Sequence, residues 1–278
     1  MARRNTLARV GRIYGVLFSA FMLAPMVVVL AASFTGEGYI SFPPASLSTR
    51  WYVEVLQNNT FMNALSFSLQ IAAITATASG LVGVLSAVVL VKPSFPGRTF
   101  LVSLAMMPLT LPHIVLAIAL LQLFGSLAIP SAPYALLMGH ILITVPYVLR
   151  LTMTSLGGLD PRLELASFTL GASRSYTLRH VVLPLGLRGI LAGILFAFLL
   201  SFDEITISLF TALPGKMTLP AEIFSYASQG SDPVIAAASG LMIIISAVVV
   251  IIIEWWFGLL RLILGDEPAK RGSRPAGE

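Results

Sequence analysis

The sequence predicts an all-α, polytopic membrane protein: six transmembrane helices, a helical cytoplasmic loop, and N and C termini both inside. Three observations predict it. The chain of 278 residues is 57% hydrophobic and only 10% charged, where soluble domains carry about 25% charged residues. Six apolar runs approach or exceed the roughly 20 residues that a bilayer-crossing helix needs. The basic residues also fall almost entirely into alternate connections between those runs.

The runs lie at about 13–33, 65–91, 99–124, 133–149, 187–211 and 234–260. The fourth is the shortest and carries His140 and Pro146. Arg3, Arg4, Arg9 and Arg12 precede the first run, and Lys92 and Arg98 separate the second from the third. Arg150, Arg162, Arg174, Arg179 and Arg188 lie between the fourth and fifth, and Arg261, Lys270, Arg271 and Arg274 follow the sixth. Of the 17 Lys and Arg residues only Arg50 and Lys216 are left for the opposite side. Cationic residues accumulate on the cytoplasmic face, so the net charge of +5 reports topology and not nucleic-acid binding. The first run has a basic start and small residues at Ala31, Ala32 and Ser33. Its apolar stretch exceeds the 7–15 residues usual in a signal peptide, so an uncleaved span is expected. With no cysteine, disulfides and Cys-based metal sites are excluded.

Outside the membrane, Ser41-Phe-Pro-Pro44 marks a turn. Residues 47–56 read as a short interfacial helix with Trp51 and Tyr52 at headgroup depth. A second outer loop at about 125–132 is short and uncharged, and a third spans about 212–233. Asp232-Pro233 is a start signal for the sixth span. Residues 1–264 form the transmembrane domain, and the polar, Pro/Gly-rich tail 265–278 is expected to be disordered.

The cytoplasmic loop 157–184 has its own helix logic. Asp160 can cap a helix whose first residue is Pro161. Leu163, Ala166 and Leu170 then share one face, and Gly171 suits the left-handed turn that ends a helix. Ser173 can cap a second helix reaching about Val182, with Pro184 redirecting the chain into the fifth span. Such a hairpin can be a knob for a partner's groove or an amphipathic element lying on the membrane surface. Periodicity leaves both open.

These residues resemble the inner-membrane permease subunit of ATP-binding-cassette importers of the six-span type. That family's cytoplasmic signature runs Glu-Ala-Ala, three residues, Gly, nine residues, Ile, one residue, Leu-Pro. Counted from Gly171, Val181 takes the Ile place and Leu183-Pro184 closes the pattern. The Glu-Ala-Ala places hold Leu165, Ala166 and Ser167, so the signature glutamate is leucine here, with Glu164 one position earlier. One position turns a helical side chain by about 100°, so Glu164 is no simple substitute. The resemblance implies that Leu163, Glu164, Leu165, Ala166, Ser167, Gly171, Ala172, Val181, Leu183 and Pro184 form an ATPase-docking surface. It also implies a homologous permease partner (a heterodimer), two cytoplasmic ATP-binding subunits and an external solute-binding protein. No cofactor is expected on this chain; ATP and Mg belong to the partner ATPase. The chain has no Gly-x-x-x-x-Gly-Lys-Ser/Thr motif to cradle phosphates, so no ATPase activity of its own is expected.

The resemblance is closest to the second permease of spermidine/putrescine-type importers, through four segments. These are Leu47-Ser-Thr-Arg-Trp-Tyr52, Asn63-Ala-Leu-Ser-Phe-Ser-Leu69, Leu111-Pro-His-Ile-Val-Leu-Ala-Ile-Ala-Leu-Leu121, and Ser201-Phe-Asp-Glu-Ile-Thr-Ile-Ser-Leu-Phe210 followed by Thr218-Leu-Pro220. Permeases for iron, phosphonates and opines share the pattern. An acidic residue commonly stands in that family at the place of His113.

Asp203 and Glu204 are the one pair of adjacent charges inside a span. An intramembrane carboxylate costs a few kcal/mol or more, about 3 at the helix centre, and is a functional candidate by default. At 1.5 Å per residue Asp203 lies roughly 22 Å beyond Arg188, in the outer half. The pair either lines a path for a cation or bonds neighbouring helices. His113, next to Pro112 in a bent span, either packs against a carbonyl freed by the kink or contacts solute. His140 reads as a satisfied interior histidine. Gly80, Gly83 and Ala87 read as a close helix approach, and Glu254, Trp255 and Trp256 as interfacial anchoring. The rival class is a secondary transporter with Asp203 and Glu204 as an ion relay. It predicts inverted repeats and Gly/Pro-broken spans in matching positions, and the sequence shows neither.

Overall fold

The computed structural model describes residues 2–92, 95–129, 131–212, 215–230 and 232–257. The expected tail and the end of the sixth run lie outside them. In chain order the helices are α1 (Ala2–Ser33), α2 (Arg50–Gln57), α3 (Asn59–Leu90), α4 (Arg98–Met106) and α5 (His113–Ser126). There follow α6 (Ser131–Gly157), α7 (Pro161–Thr169), α8 (Arg174–Thr177), α9 (Leu183–Asp203), α10 (Thr206–Phe210), α11 (Leu219–Ala227) and α12 (Pro233–Phe257). Among the described residues five helices are long and apolar enough to cross a membrane, or six if the bent pair α4/α5 counts as one span. The chain divides into two compact units, Met1–Phe67 with Lys216–Ala247, and Ser68–Gly215 with Val248–Glu278.

In the first unit α2 turns inward. Trp51 and Val55, one helical turn apart, are both buried, and the Tyr52 hydroxyl meets Ser33 Oγ at 2.7 Å. A Cβ on Gly240 would lie 2.5 Å from that hydroxyl, so only glycine admits the tyrosine. The aromatic pair therefore packs against its own unit. The described part of the connection at about 212–233 is helical in its middle. It holds α11, whose Pro220 stands in the first turn with Glu222, both favoured at helix starts. Asp232 Oδ1 accepts from the backbone N–H of Val234 at 3.0 Å and caps α12.

In the second unit α6 lies along α9 at close range. A Cβ on Gly189 would fall 2.2 Å from Ser155 Cβ, and one on Gly83 of α3 would fall 2.7 Å from Val148 Cβ. Small residues let the backbones approach until hydroxyls bond across helices, as Ser79 Oγ and Thr144 Oγ1 do at 2.6 Å.

Two spans depart from the expected runs. The third run is not one helix: α4 continues as a 3-10 turn over Met107–Thr110, and α5 leaves it at 103°. Pro112 lacks the N–H that would continue the ladder and holds Leu111 extended at ψ 134. The fifth run ends at Asp203, and a non-helical Glu204 precedes α10. At its inner end Pro184 does not redirect the chain, because Arg174–Asp203 is one helical stretch of 30 residues. The π turn Leu178–Val182 widens the helix, with Leu183 N–H bonded to Leu178 O. That register removes the clash a proline ring otherwise makes with the carbonyl four residues back.

Candidate functional site

Two regions of the second unit carry the residues singled out by sequence. The first is the hairpin of α7 and α8. Asp160 Oδ1 accepts from Arg162 N–H at 2.9 Å and Ser173 Oγ from Tyr176 N–H at 3.3 Å, so each helix begins on its own cap. Between them Gly171 takes φ +84, where any side chain is strained. Ser167 Oγ and Thr177 Oγ1 lie 2.8 Å apart and tie the two helices together.

Around that frame the apolar side chains face outward. Leu165 is 63% exposed, Leu170 88% and Leu163 44%, with Ala166 and Pro184 also exposed. Ala172, Val181 and Leu183 are half-buried. Glu164 behaves differently: its Oε2 lies 3.7 Å from Lys92 Nζ, at the end of α3. Two crevices of about 200 and 330 Å³ flank this pair, walled by Val88, Val91, Leu156 and Val182. The hairpin thus shows leucines to the outside and keeps its carboxylate for its own chain.

The second region is the break after α9. Glu204 is 6% exposed, and both of its carboxylate oxygens are engaged. Oε1 accepts from Ile207 N–H at 2.9 Å, which caps α10. Oε2 lies 2.9 Å from His113 Nδ1; a carboxylate only accepts, so Nδ1 carries the proton. The Glu204 carbonyl takes the Ser208 hydroxyl at 2.9 Å. Ser208 Oγ, its proton already used, accepts from His140 Nε2 at 3.2 Å, which leaves His140 Nδ1 to accept from Ser201 Oγ at 2.8 Å. A neutral imidazole at His140 satisfies every member of this chain of bonds.

Asp203, one residue earlier, is exposed. The two adjacent carboxylates therefore separate: Glu204 is spent on structure and Asp203 is free to face whatever occupies the space beside the break. His113 stands at the first residue of α5 and bonds a carboxylate, where sequence reasoning offered it a carbonyl freed by the kink. Sequence reasoning also missed Lys92 and Ser208. Spacing gives no signal for either, since both act across chain breaks. The same network links the two broken spans; sequence reasoning took the third as bent at its prolines and the fifth as continuous.

Residues 79–261 match the family described as binding-protein-dependent transport system inner membrane component. Over 218 residues the chain is 32% identical to the spermidine/putrescine transport system permease protein PotC of Escherichia coli (strain K12), covering 78% of this chain and 82% of that one. It is 34% identical over 224 residues to the putrescine transport system permease protein PotI of the same strain, covering 78% and 79%. Among solved structures, a chain of the bacterial alginate ABC transporter in complex with an alginate pentasaccharide-bound periplasmic protein superposes with a TM-score of 0.69 at 14% identity. That match covers 94% of this chain and 96% of the other, and at such identity it concerns the fold.

Proposed function

The chain belongs to the binding-protein-dependent transport system inner membrane component family and is a permease subunit of an ABC importer, and from this premise we propose that it carries a polyamine-class cation past Asp203. The observation that supports the cation is the carboxylate of Asp203, exposed beside a break whose other carboxylate is bonded through both oxygens. Polyamines are cationic amines, and the relatives PotC and PotI are named for spermidine and putrescine.

In this reading both termini are cytoplasmic, residues 1–264 form the permease domain, and a homologous permease completes the path. An external binding protein delivers the solute. Two ATPase subunits, which supply the ATP and Mg chemistry, dock on the hairpins of the pair. The exposed leucines of α7 are the docking surface on this side, and this chain contributes no ATPase site. Closing of the ATPases pushes on 157–184 and moves α9, with which α8 is continuous through the π turn. A relay of protons through Asp203 and Glu204 is disfavoured, because Glu204 already serves as a helix cap and a histidine acceptor.

The test is uptake of labelled putrescine by proteoliposomes holding the permease pair, its ATPase and its binding protein. Removing one unit charge at contact distance withdraws about 1–4 kcal/mol, depending on how wet the site is. Asp203→Asn should therefore slow uptake at subsaturating solute by roughly fivefold or more with assembly intact. Uptake unchanged by this substitution rejects Asp203 as the cation contact. A binding protein that ignores polyamines rejects the solute class.

A further inference from the structure

We propose that Glu164 is a positioning residue, a strut that joins the docking hairpin to the inner end of α3 through Lys92, and that the ATPase is held by the leucine surface without it. The proposal rests on the hairpin being the docking site. Its geometry follows from one helical step. Neighbouring residues on a helix point about 100° apart, so Leu165 stands 63% exposed on the outer face while Glu164 Oε2 turns to Lys92 Nζ at 3.7 Å. A glutamate at position 165 would face outward; at 164 it faces its own bundle.

The segment receiving it is itself held. Arg98 Nε donates to Leu90 O at 2.6 Å, so the first residue of α4 closes the last turn of α3 on either side of Lys92. Crevices of about 200 and 330 Å³ adjoin the pair, so a packed apolar layer does not fill the space between hairpin and helix ends there. The ion pair is a polar link across that gap. A push on α7 through it reaches α3 and α4, and α4 leads into the broken span that carries His113.

A double-mutant cycle on the complete reconstituted importer tests this. Lys92→Gln, Glu164→Gln, the double variant and the reversed pair Lys92→Glu/Glu164→Lys are compared. The readouts are putrescine taken up per ATP hydrolysed and the hydrolysis rate of the assembled importer, the second of which assumes no solute. An exposed pair is weak, so each single substitution should change the measured value by about two- to fivefold. The double should match the singles, and the reversed pair should recover most of the loss. Effects that multiply in the double, or a reversed pair worse than either single, overturn the strut. So does loss of the ATPase from purified permease with Glu164→Gln when Lys92→Gln retains it. Leu165→Asp tests the docking premise separately. If the ATPase remains bound to that variant, the docking reading fails; if it is lost while the cycle is multiplicative, only the strut fails.

Discussion

The hairpin at 157–184 and the break after Asp203 contain similar side chains in opposite states. In the hairpin the apolar residues are outside: Leu165 and Leu170 stand in solvent, and the polar ones make short local bonds such as Asp160 to Arg162 and Ser167 to Thr177. At the break the polar residues are inside, and Glu204, Ser208, His140 and Ser201 form one continuous chain of bonds. Exposed apolar patches mark a surface that another body covers. Polar groups in the spans have no water to fall back on and must be satisfied within the protein. The hairpin is therefore complete as a fold and incomplete as a surface. The break is complete as a surface except at Asp203, and depends on every bond for its fold.

The strongest way to break this contrast is Glu204→Ala. It leaves the buried Ile207 N–H without its acceptor, which costs about 1–3 kcal/mol, and takes the carboxylate from the half-exposed His113 Nδ1, where water replaces part of the bond. A loss of about 2–3 kcal/mol in stability is expected, seen as a clear drop in melting temperature in detergent. Asp203→Asn, one residue away, should melt with the parent. Equal drops for both would mean that the two carboxylates share a structural role.

Next in size is Leu170→Asp on the hairpin. A charge at an apolar anchor of an interface costs about 2 kcal/mol, or roughly thirtyfold in affinity. Retention of the ATPase on the purified permease should fall by that factor with melting unchanged. A drop in melting with retention preserved would instead make Leu170 part of the core.

What the sequence made legible tracks how local each feature is. The spans follow from length and apolarity, and the hairpin caps follow from Asp160, Gly171 and Ser173, whose partners lie within a few residues. Pro184 misled because a π turn, which no residue pattern announces, accommodates its ring. The packing of Tyr52 was not legible, because its contacts with Ser33 and Gly240 join residues far apart in the chain. His113 with Glu204 and Lys92 with Glu164 were illegible, since each pair joins different helices and depends on how the chain turns between them. Asp203 and Glu204 looked equivalent in sequence. They differ only because the helix ends between them, which turns one side chain into a cap.

The smallest effect expected separates hairpin cohesion from hairpin recognition. Ser167→Ala removes the 2.8 Å bond to Thr177, leaving a buried hydroxyl with its partner gone. One such bond is worth about 0.5–1.5 kcal/mol, less than the network at Glu204 because the hairpin lies at the water boundary and Asp160, Gly171 and Ser173 still set its path. Hydrogen exchange over 161–177 should quicken by roughly three- to tenfold, the same energy read as a local opening constant, while exchange in α6 and α9 stays as it was. Faster exchange in α9 as well would show that the hairpin is not a separate lever, because loosening its two short helices would then loosen the span they are meant to push.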